Sequence, residues 1–182
     1  MGTTALYVEL VIIGLETAMW IAAFSIYLTD VQYISLIGKL LGILPASVLL
    51  LGILYILGLI TDRVADYLFD KEENKIRLNS GLHAKSSILI WKKSSQEEYF
   101  KFTRSKIRIL RASAINLPLF TVSIVLNVSR YYGYQTNFLG FIVILGTALS
   151  LFSLYGYKQS TENYYNKARI LEITLEGRES AN

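Results

Sequence analysis

Four long apolar stretches constrain this 182-residue chain more than any other feature of its sequence. They run from Ala5 to Leu28, from about Ile34 to Ile60, from about Ala112 to Val128 and from about Phe138 to Tyr157. A helix needs about 20 apolar residues to cross the hydrocarbon core of a bilayer. The sequence therefore predicts an all-α integral membrane protein, with four transmembrane helices as two hairpins and with helical cytoplasmic extensions.

The overall composition agrees with this class. Apolar residues make up 53% of the chain and charged residues 18%, whereas a soluble domain typically has about 25% charged residues. A cleaved signal peptide is the alternative interpretation of the first stretch, but it would begin with a basic segment. No Lys or Arg precedes Lys39, and the stretch contains Glu9 and Glu16. We therefore expect the first stretch to be a span.

The distribution of basic residues predicts the orientation of the spans. Residues 62–111 hold twelve of the 18 Lys and Arg residues, and residues 158–182 hold four more. Basic segments stay on the cytoplasmic side, so both termini and the central loop are expected in the cytoplasm of a cell with an inner membrane. This topology accounts for the net charge of +4, and we do not expect nucleic-acid binding. The predicted segments are a transmembrane hairpin (1–61), cytoplasmic arms and loop (62–111), a second hairpin (112–157) and a tail helix (158–182).

Two charged stripes flank the basic loop. The first follows the second span in "ITDRVADYLFDKEENKIR", which lacks proline and glycine, and consists of Asp62, Asp66, Asp70 and Glu73. The second precedes the third span in "YFKFTRSKIRILRASA" and consists of Lys101, Arg104, Arg108 and Arg111. If the arms are antiparallel, Asp62 faces Arg111 and the other rungs follow in order, which predicts a charge ladder. The alternative is that each stripe is a solvated face, with the basic one against anionic lipid.

Glu9 and Glu16 lie within the first span and on one helical face. An acid near the bilayer centre costs at least ~2.5 kcal/mol, so both side chains must face protein or water. Three interpretations remain open for them: structural partners, a ring of acids lining the pore of a homo-oligomer, and a transporter that protonates Glu16. A structural role would pair Glu9 with Arg111 or Arg63. The candidate partners of Glu16 are Asn116, Thr121, Thr147 and Ser150.

Small residues indicate where helices approach closely. In the second span, Gly38, Gly42 and Ala46 follow the small-xxx-small spacing that lets two backbones come together. In the fourth span, Gly146 and Ser150 have the same spacing. Pro118, within the third span, removes a backbone donor and is expected to bend that helix.

The sequence contains no pattern typical of an enzyme. It has no cysteine and one histidine, which excludes thiolate and poly-histidine metal sites, and no cofactor-binding motif is present. Arg77 and His83 have the R-x5-H spacing of HEPN-type ribonucleases, but Gly81 interrupts the helix that such a site needs. The tail should continue the fourth span as an amphipathic helix that ends at Gly177.

Three segments carry a resemblance to known proteins: "YVELVIIGLETAMW", "YILGLITDRVADYLF" and "RSKIRILRASAINL". With them the chain resembles a family of small, uncharacterised bacterial inner-membrane proteins with four spans. Its plan is also similar to membrane effectors of bacterial anti-phage defence systems, which oligomerise and disrupt the inner membrane on a cytoplasmic signal. The resemblance covers most of the chain but transfers no functional residue.

The resemblance implies a homo-oligomeric channel or membrane-permeabilising effector, gated through its cytoplasmic arms. Two alternatives remain open from the residues. One is a non-conducting membrane anchor or subunit whose basic loop recruits a cytoplasmic protein partner. The other is a component of a proton-coupled transporter.

Overall fold

Four long α-helices make up the part of the chain that can be described. The computed structural model describes residues 3–29, 44–82, 96–133 and 136–179. The helices are α1 (Thr3–Thr29), α2 (Leu44–Asn79), α3 (Glu97–Tyr132) and α4 (Thr136–Glu179). All four are long and apolar enough to cross a membrane, and no strand occurs within the described ranges. The expected all-α membrane fold with four spans is thus confirmed.

Three of the helices are much longer than a membrane span. At 1.5 Å per residue, about 20 residues cross the hydrocarbon core, whereas α2 and α3 each have 36 residues and α4 has 44. The polar parts that extend beyond the apolar spans form what we call the stalk, residues 62–79, 97–111 and 158–179. Helix α3 continues through Pro118. Helix α4 ends at Glu179, two residues beyond the predicted end at Gly177.

Consecutive helices pack together, α1 with α2 and α3 with α4. Helices α3 and α4 are antiparallel: the rings of Phe100 and Tyr164 lie 5.3 Å apart near one end, and Gly146 contacts Thr121 nearer the other. Gly133, at the C-terminus of α3, has a φ of 73°, a backbone conformation that favours glycine. Helix α1 also packs along α3 in the parallel direction, and these contacts position the polar side chains described below.

The stalk has an apolar core of its own. Phe69 of α2 contacts Tyr157 of α4, with ring centroids 5.0 Å apart. The buried members of this core are Leu82, Phe100, Ile107, Tyr157, Tyr164, Tyr165 and Ala168. Because residues from α2, α3 and α4 contribute, the three polar extensions are held together as one body. In the apolar span of α4, in contrast, only 11% of the residues in the most apolar window are buried within the chain.

Candidate functional site: a polar seam between three helices

Polar side chains are buried or half-buried where α1, α2 and α3 meet, and they form two adjoining groups. The first, the ionic cluster, consists of Glu9, Asp62, Asp66, Glu73, Arg108 and Arg111. The second, the hydroxyl–amide cluster, consists of Glu16, Thr17, Thr61, Ser113 and Asn116. The clusters adjoin because Thr61 and Asp62 are consecutive in α2. We call the two clusters together the polar seam.

Arg108 connects the three helices within the ionic cluster. Its Nη2 and Nε donate to the two carboxylate oxygens of Asp62, at 2.6 and 3.2 Å. Its Nη1 donates to Oε2 of Glu9 at 3.3 Å. Both carboxylates are buried, Glu9 with 4% and Asp62 with 5% of its surface exposed. The two-nitrogen contact with Asp62 is the strong, directional form of the arginine–carboxylate pair.

Arg111 is the more buried of the two arginines, with 4% of its surface exposed. It forms ion pairs with Asp66 and Asp62 of α2 and, at 3.4 Å, with Glu73. The Tyr165 hydroxyl donates to the other oxygen of Glu73 at 2.8 Å. Tyr165 lies beyond the apolar part of α4, and burial together with the Glu73 carboxylate raises the pKa of its hydroxyl. The phenol therefore stays protonated and remains a donor.

The hydroxyl–amide cluster surrounds Asn116, which is 3% exposed. Its side-chain oxygen accepts from Trp20 Nε1 at 3.2 Å and lies 3.3 Å from the Thr17 hydroxyl. The Thr17 and Thr61 hydroxyls lie 2.8 Å apart. Asn116 Nδ2 donates to Glu16 at 3.4 Å. Both the oxygen and the nitrogen of the Asn116 side chain therefore form hydrogen bonds with residues of α1.

The partners of the two acids differ in part from those expected. Glu9 pairs with Arg108, whereas Arg111 or Arg63 was predicted. Glu16 accepts from Asn116, which was among its candidates, but its shorter bonds come from the Ser113 hydroxyl, at 2.8 and 3.0 Å.

The other three candidates for Glu16 lie elsewhere. Thr121 and Ser150 donate to carbonyls of their own helices, Leu117 and Gly146 respectively. Thr147 is exposed. Hydroxyls in helices commonly bond to a carbonyl one turn earlier, so their presence in a span does not identify a partner.

The charge ladder has a different order from the predicted one. Arg108 pairs with Asp62 rather than Asp66, and Arg111 pairs with Asp66 as well as with Asp62. The reason is that an arginine side chain is long enough to span one helical turn. Arg108 and Arg111 together therefore form ion pairs with most of the acids in the cluster.

The outer rungs of the ladder are not formed as predicted. Lys101 pairs with Glu97 of its own helix at 2.5 Å, not with Glu73. Asp70 accepts from Asn74, also in its own helix, and Arg104 has no carboxylate partner among the described residues. These outer side chains are more exposed, and neighbours one turn away compete for them.

The predicted close approaches of helices are described only in part. Gly38 and Gly42 lie outside the described residues, as does the side-chain environment of Ala46. Gly146 is buried against Thr121, so close that an added Cβ would collide with that side chain. Ser150 is buried beside it.

Among the described glycines, Gly14 and Gly58 mark a close approach of two helix backbones that the predictions missed. A Cβ added to Gly14 of α1 would collide with the Leu54 carbonyl of α2, and one added to Gly58 would collide with the Leu10 carbonyl. A repeat in the sequence could have indicated this contact, since "LVIIGLET" (10–17) and "LYILGLIT" (54–61) share leucine, isoleucine, glycine, leucine and threonine at equivalent positions. The two copies meet each other, which brings the Thr17 and Thr61 hydroxyls together.

A cavity of about 440 Å³ opens beside the ionic cluster in the stalk. Five arginines and three carboxylates line it, together with Tyr164, Tyr165 and Ile107. No group of three or more His, Cys, Asp or Glu residues with metal-binding geometry occurs in the described ranges. The arrangement is that of a charged, water-accessible chamber continuous with buried polar groups.

Comparison with known proteins found no relative of this chain. No protein-family model matches the chain, and no curated protein and no solved structure is significantly similar to it.

Proposed function

We propose that the protein is a homo-oligomeric membrane channel or membrane-permeabilising effector, which passes cations along the polar seam and is gated through the stalk. The observation that carries the proposal is the position of Arg108, which belongs to the stalk but binds Glu9 of the first span. This contact couples the polar stalk to an acid of the first apolar span.

The energetic argument concerns what buried charges do for a membrane protein. A buried ion pair is weak evidence for stability, because apolar residues of similar volume often stabilise a protein as well or better. Charged residues within spans are costly and typically mark ion pathways. Glu9 and Glu16 are the acids of the seam that lie within an apolar span, and no basic residue of α1 accompanies them, so this part of the seam favours cations over anions.

The ionic cluster supplies a simple gate. With Arg108 between Glu9 and Asp62, the acids are neutralised and the seam is closed. A shift of α3 relative to α1 and α2 would withdraw the guanidinium and leave the two carboxylates free to bind a passing cation. In this proposal, a signal that acts on the stalk opens the channel.

Oligomer formation is part of the proposal because four helices are too few to enclose a wide pore. The apolar span of α4 offers a large exposed surface, with Phe141, Ile144 and Phe152 all more than half exposed. We further propose that the protein resides in an inner membrane with both termini in the cytoplasm, on the basis of the basic residues in the central loop and tail.

A non-conducting membrane anchor that recruits a cytoplasmic partner is the second candidate. One observation favours it: Glu9 and Glu16 each have hydrogen-bond partners within the same chain. Acids satisfied in this way can be purely structural.

Flux through liposomes separates the two candidates. Purified protein is reconstituted, its particle size is measured, and the release of a cation-sensitive dye is recorded for wild type and Glu16→Gln. Channel function predicts an oligomer whose flux falls several-fold in the variant. Ser123→Ala is a matched control, since this buried hydroxyl donates only to the Leu119 carbonyl of its own helix. Folded protein without flux would support the anchor instead.

A further inference from the structure

We propose that the stalk cavity binds a phosphate group through Arg77 and Arg104. The cavity is lined by Arg63, Arg77, Arg104, Arg108 and Arg111 on the basic side and by Asp62, Asp66 and Glu73 on the acidic side. Its charges are not evenly matched, and the excess is positive. The inference does not depend on ion conduction.

The acids of the cavity are already engaged. Asp62 binds Arg108 and Arg111, and Glu73 binds Arg111 and the Tyr165 hydroxyl. Asp66 binds Arg111 and, at 3.7 Å, Arg63. No cavity carboxylate therefore remains for the other two arginines.

Arg77 and Arg104 are the two cavity arginines that the cavity carboxylates do not bind. Within the described ranges neither forms an ion pair with a carboxylate, although both line the cavity. The Nε of Arg77 is buried without an acceptor, and so is the Nε of Arg111. Buried donors without acceptors are uncommon in folded proteins and call for an explanation, such as a bound ion.

A phosphate group fits this set of donors. Arginine presents its N–H groups in a planar fork that matches the oxygens of phosphate and binds them in pairs. A ligand here would bridge α2, which carries Arg77, and α3, which carries Arg104. It would also neutralise the two cations that nothing else in the described cavity neutralises.

The position of the cavity allows two sources of phosphate. Its lining begins at Asp62 and Arg111, the first residues beyond the apolar spans. At this depth the headgroup of an anionic lipid is within reach, and so is free phosphate from the aqueous side. Basic clusters next to a span are typical sites for anionic headgroups.

The test uses the full chain in nanodiscs, with thermal unfolding followed by tryptophan fluorescence. One arm adds inorganic phosphate to phosphatidylcholine discs and compares it with chloride at equal ionic strength. The other arm replaces part of the phosphatidylcholine by phosphatidylglycerol. A rise in Tm with phosphate identifies a free phosphate site, and a rise only with phosphatidylglycerol identifies a lipid-headgroup site. No rise in either arm overturns the proposal.

The decisive variant is Arg77→Gln/Arg104→Gln, in which we expect the affinity for phosphate or anionic lipid to fall about tenfold or more, as for a lost charge-assisted hydrogen bond. Lys75→Gln/Lys106→Gln is the matched control, because these exposed lysines lie two residues away on the same helices and do not line the cavity. Equal losses in both double variants would mean a general charge effect and would contradict the site.

Arg77→Lys/Arg104→Lys keeps the charges and decides the matter if the glutamine variant does not fold. Lysine lacks the planar fork, so we expect a weaker response than in wild type. An unchanged response with the lysines in place would overturn the proposed arginine geometry.

Discussion

Arg108 binds Asp62 through two nitrogens, and both contacts join α3 to α2 where the stalk meets the spans. The same guanidinium reaches Glu9 of α1. One arginine therefore connects three helices. Substitution of Arg108 should weaken the contacts of α3 with both α1 and α2.

We expect Arg108→Gln to lower the free energy of unfolding by about 3–5 kcal/mol, because it leaves the buried Glu9 carboxylate without its cation and leaves Asp62 with Arg111 alone. Unfolding in mixed detergent micelles, followed by tryptophan fluorescence, measures the loss. Lys106→Gln is the control, since this exposed side chain should change stability by less than about 0.5 kcal/mol.

The same variant allows a test of the cause. Adding Glu9→Gln and Asp62→Asn to Arg108→Gln removes the unpaired charges, so stability should recover in part. Stability that stays as low as in the single variant would show that the ion pairs are not the reason for the loss.

Gly58→Ala should weaken the packing of α1 on α2. The new methyl group would collide with the Leu10 carbonyl, and overpacking of this kind typically costs about 1–3 kcal/mol. Gly52→Ala, in the same helix, has open space around the added Cβ and should be neutral or stabilising by up to about 1 kcal/mol. Equal unfolding free energies for the two variants would contradict the close contact.

Ser113→Ala should destabilise the protein by about 1–3 kcal/mol, because the half-buried Glu16 carboxylate loses its closest donor. Ser123→Ala provides the comparison on the same helix and should cost less, since Ser123 serves only a carbonyl of its own helix. The difference between the two unfolding free energies isolates the contribution of the bond to Glu16. A difference near zero would show that the bond from Ser113 to Glu16 does not contribute to stability.

The helices could be predicted from the sequence because membrane spans are specified by long apolar runs. The charge-free stretch from Phe138 to Tyr157 and the run from Ala112 to Val128 fall inside α4 and α3. The polar stalk helices could also be predicted. The acidic residues after the second span and the basic residues before the third recur every three or four positions, and this spacing places them on one face only if the segment is a helix. The start of the second span, at about Ile34, lies outside the described residues.

The partners within the seam could be predicted only in part. That Glu9 and Glu16 need partners followed from the cost of burying an acid, but which partner each has depends on the rotation of α3 and on side-chain reach. Ser113 lies one turn before Asn116 and on a shared face, a signal that points to both residues together. The Gly14–Gly58 contact depends on how α1 meets α2, and only the repeated sequence around each glycine indicated it.

The reversal potential across a planar bilayer containing the purified protein tests the proposed channel most directly. With a salt gradient across the membrane, the acids of the seam predict a current that reverses near the equilibrium potential of the cation, and Glu16→Gln should reduce this current or its selectivity. A folded, oligomeric protein that carries no current, or one whose current reverses near the anion potential, would contradict the proposal.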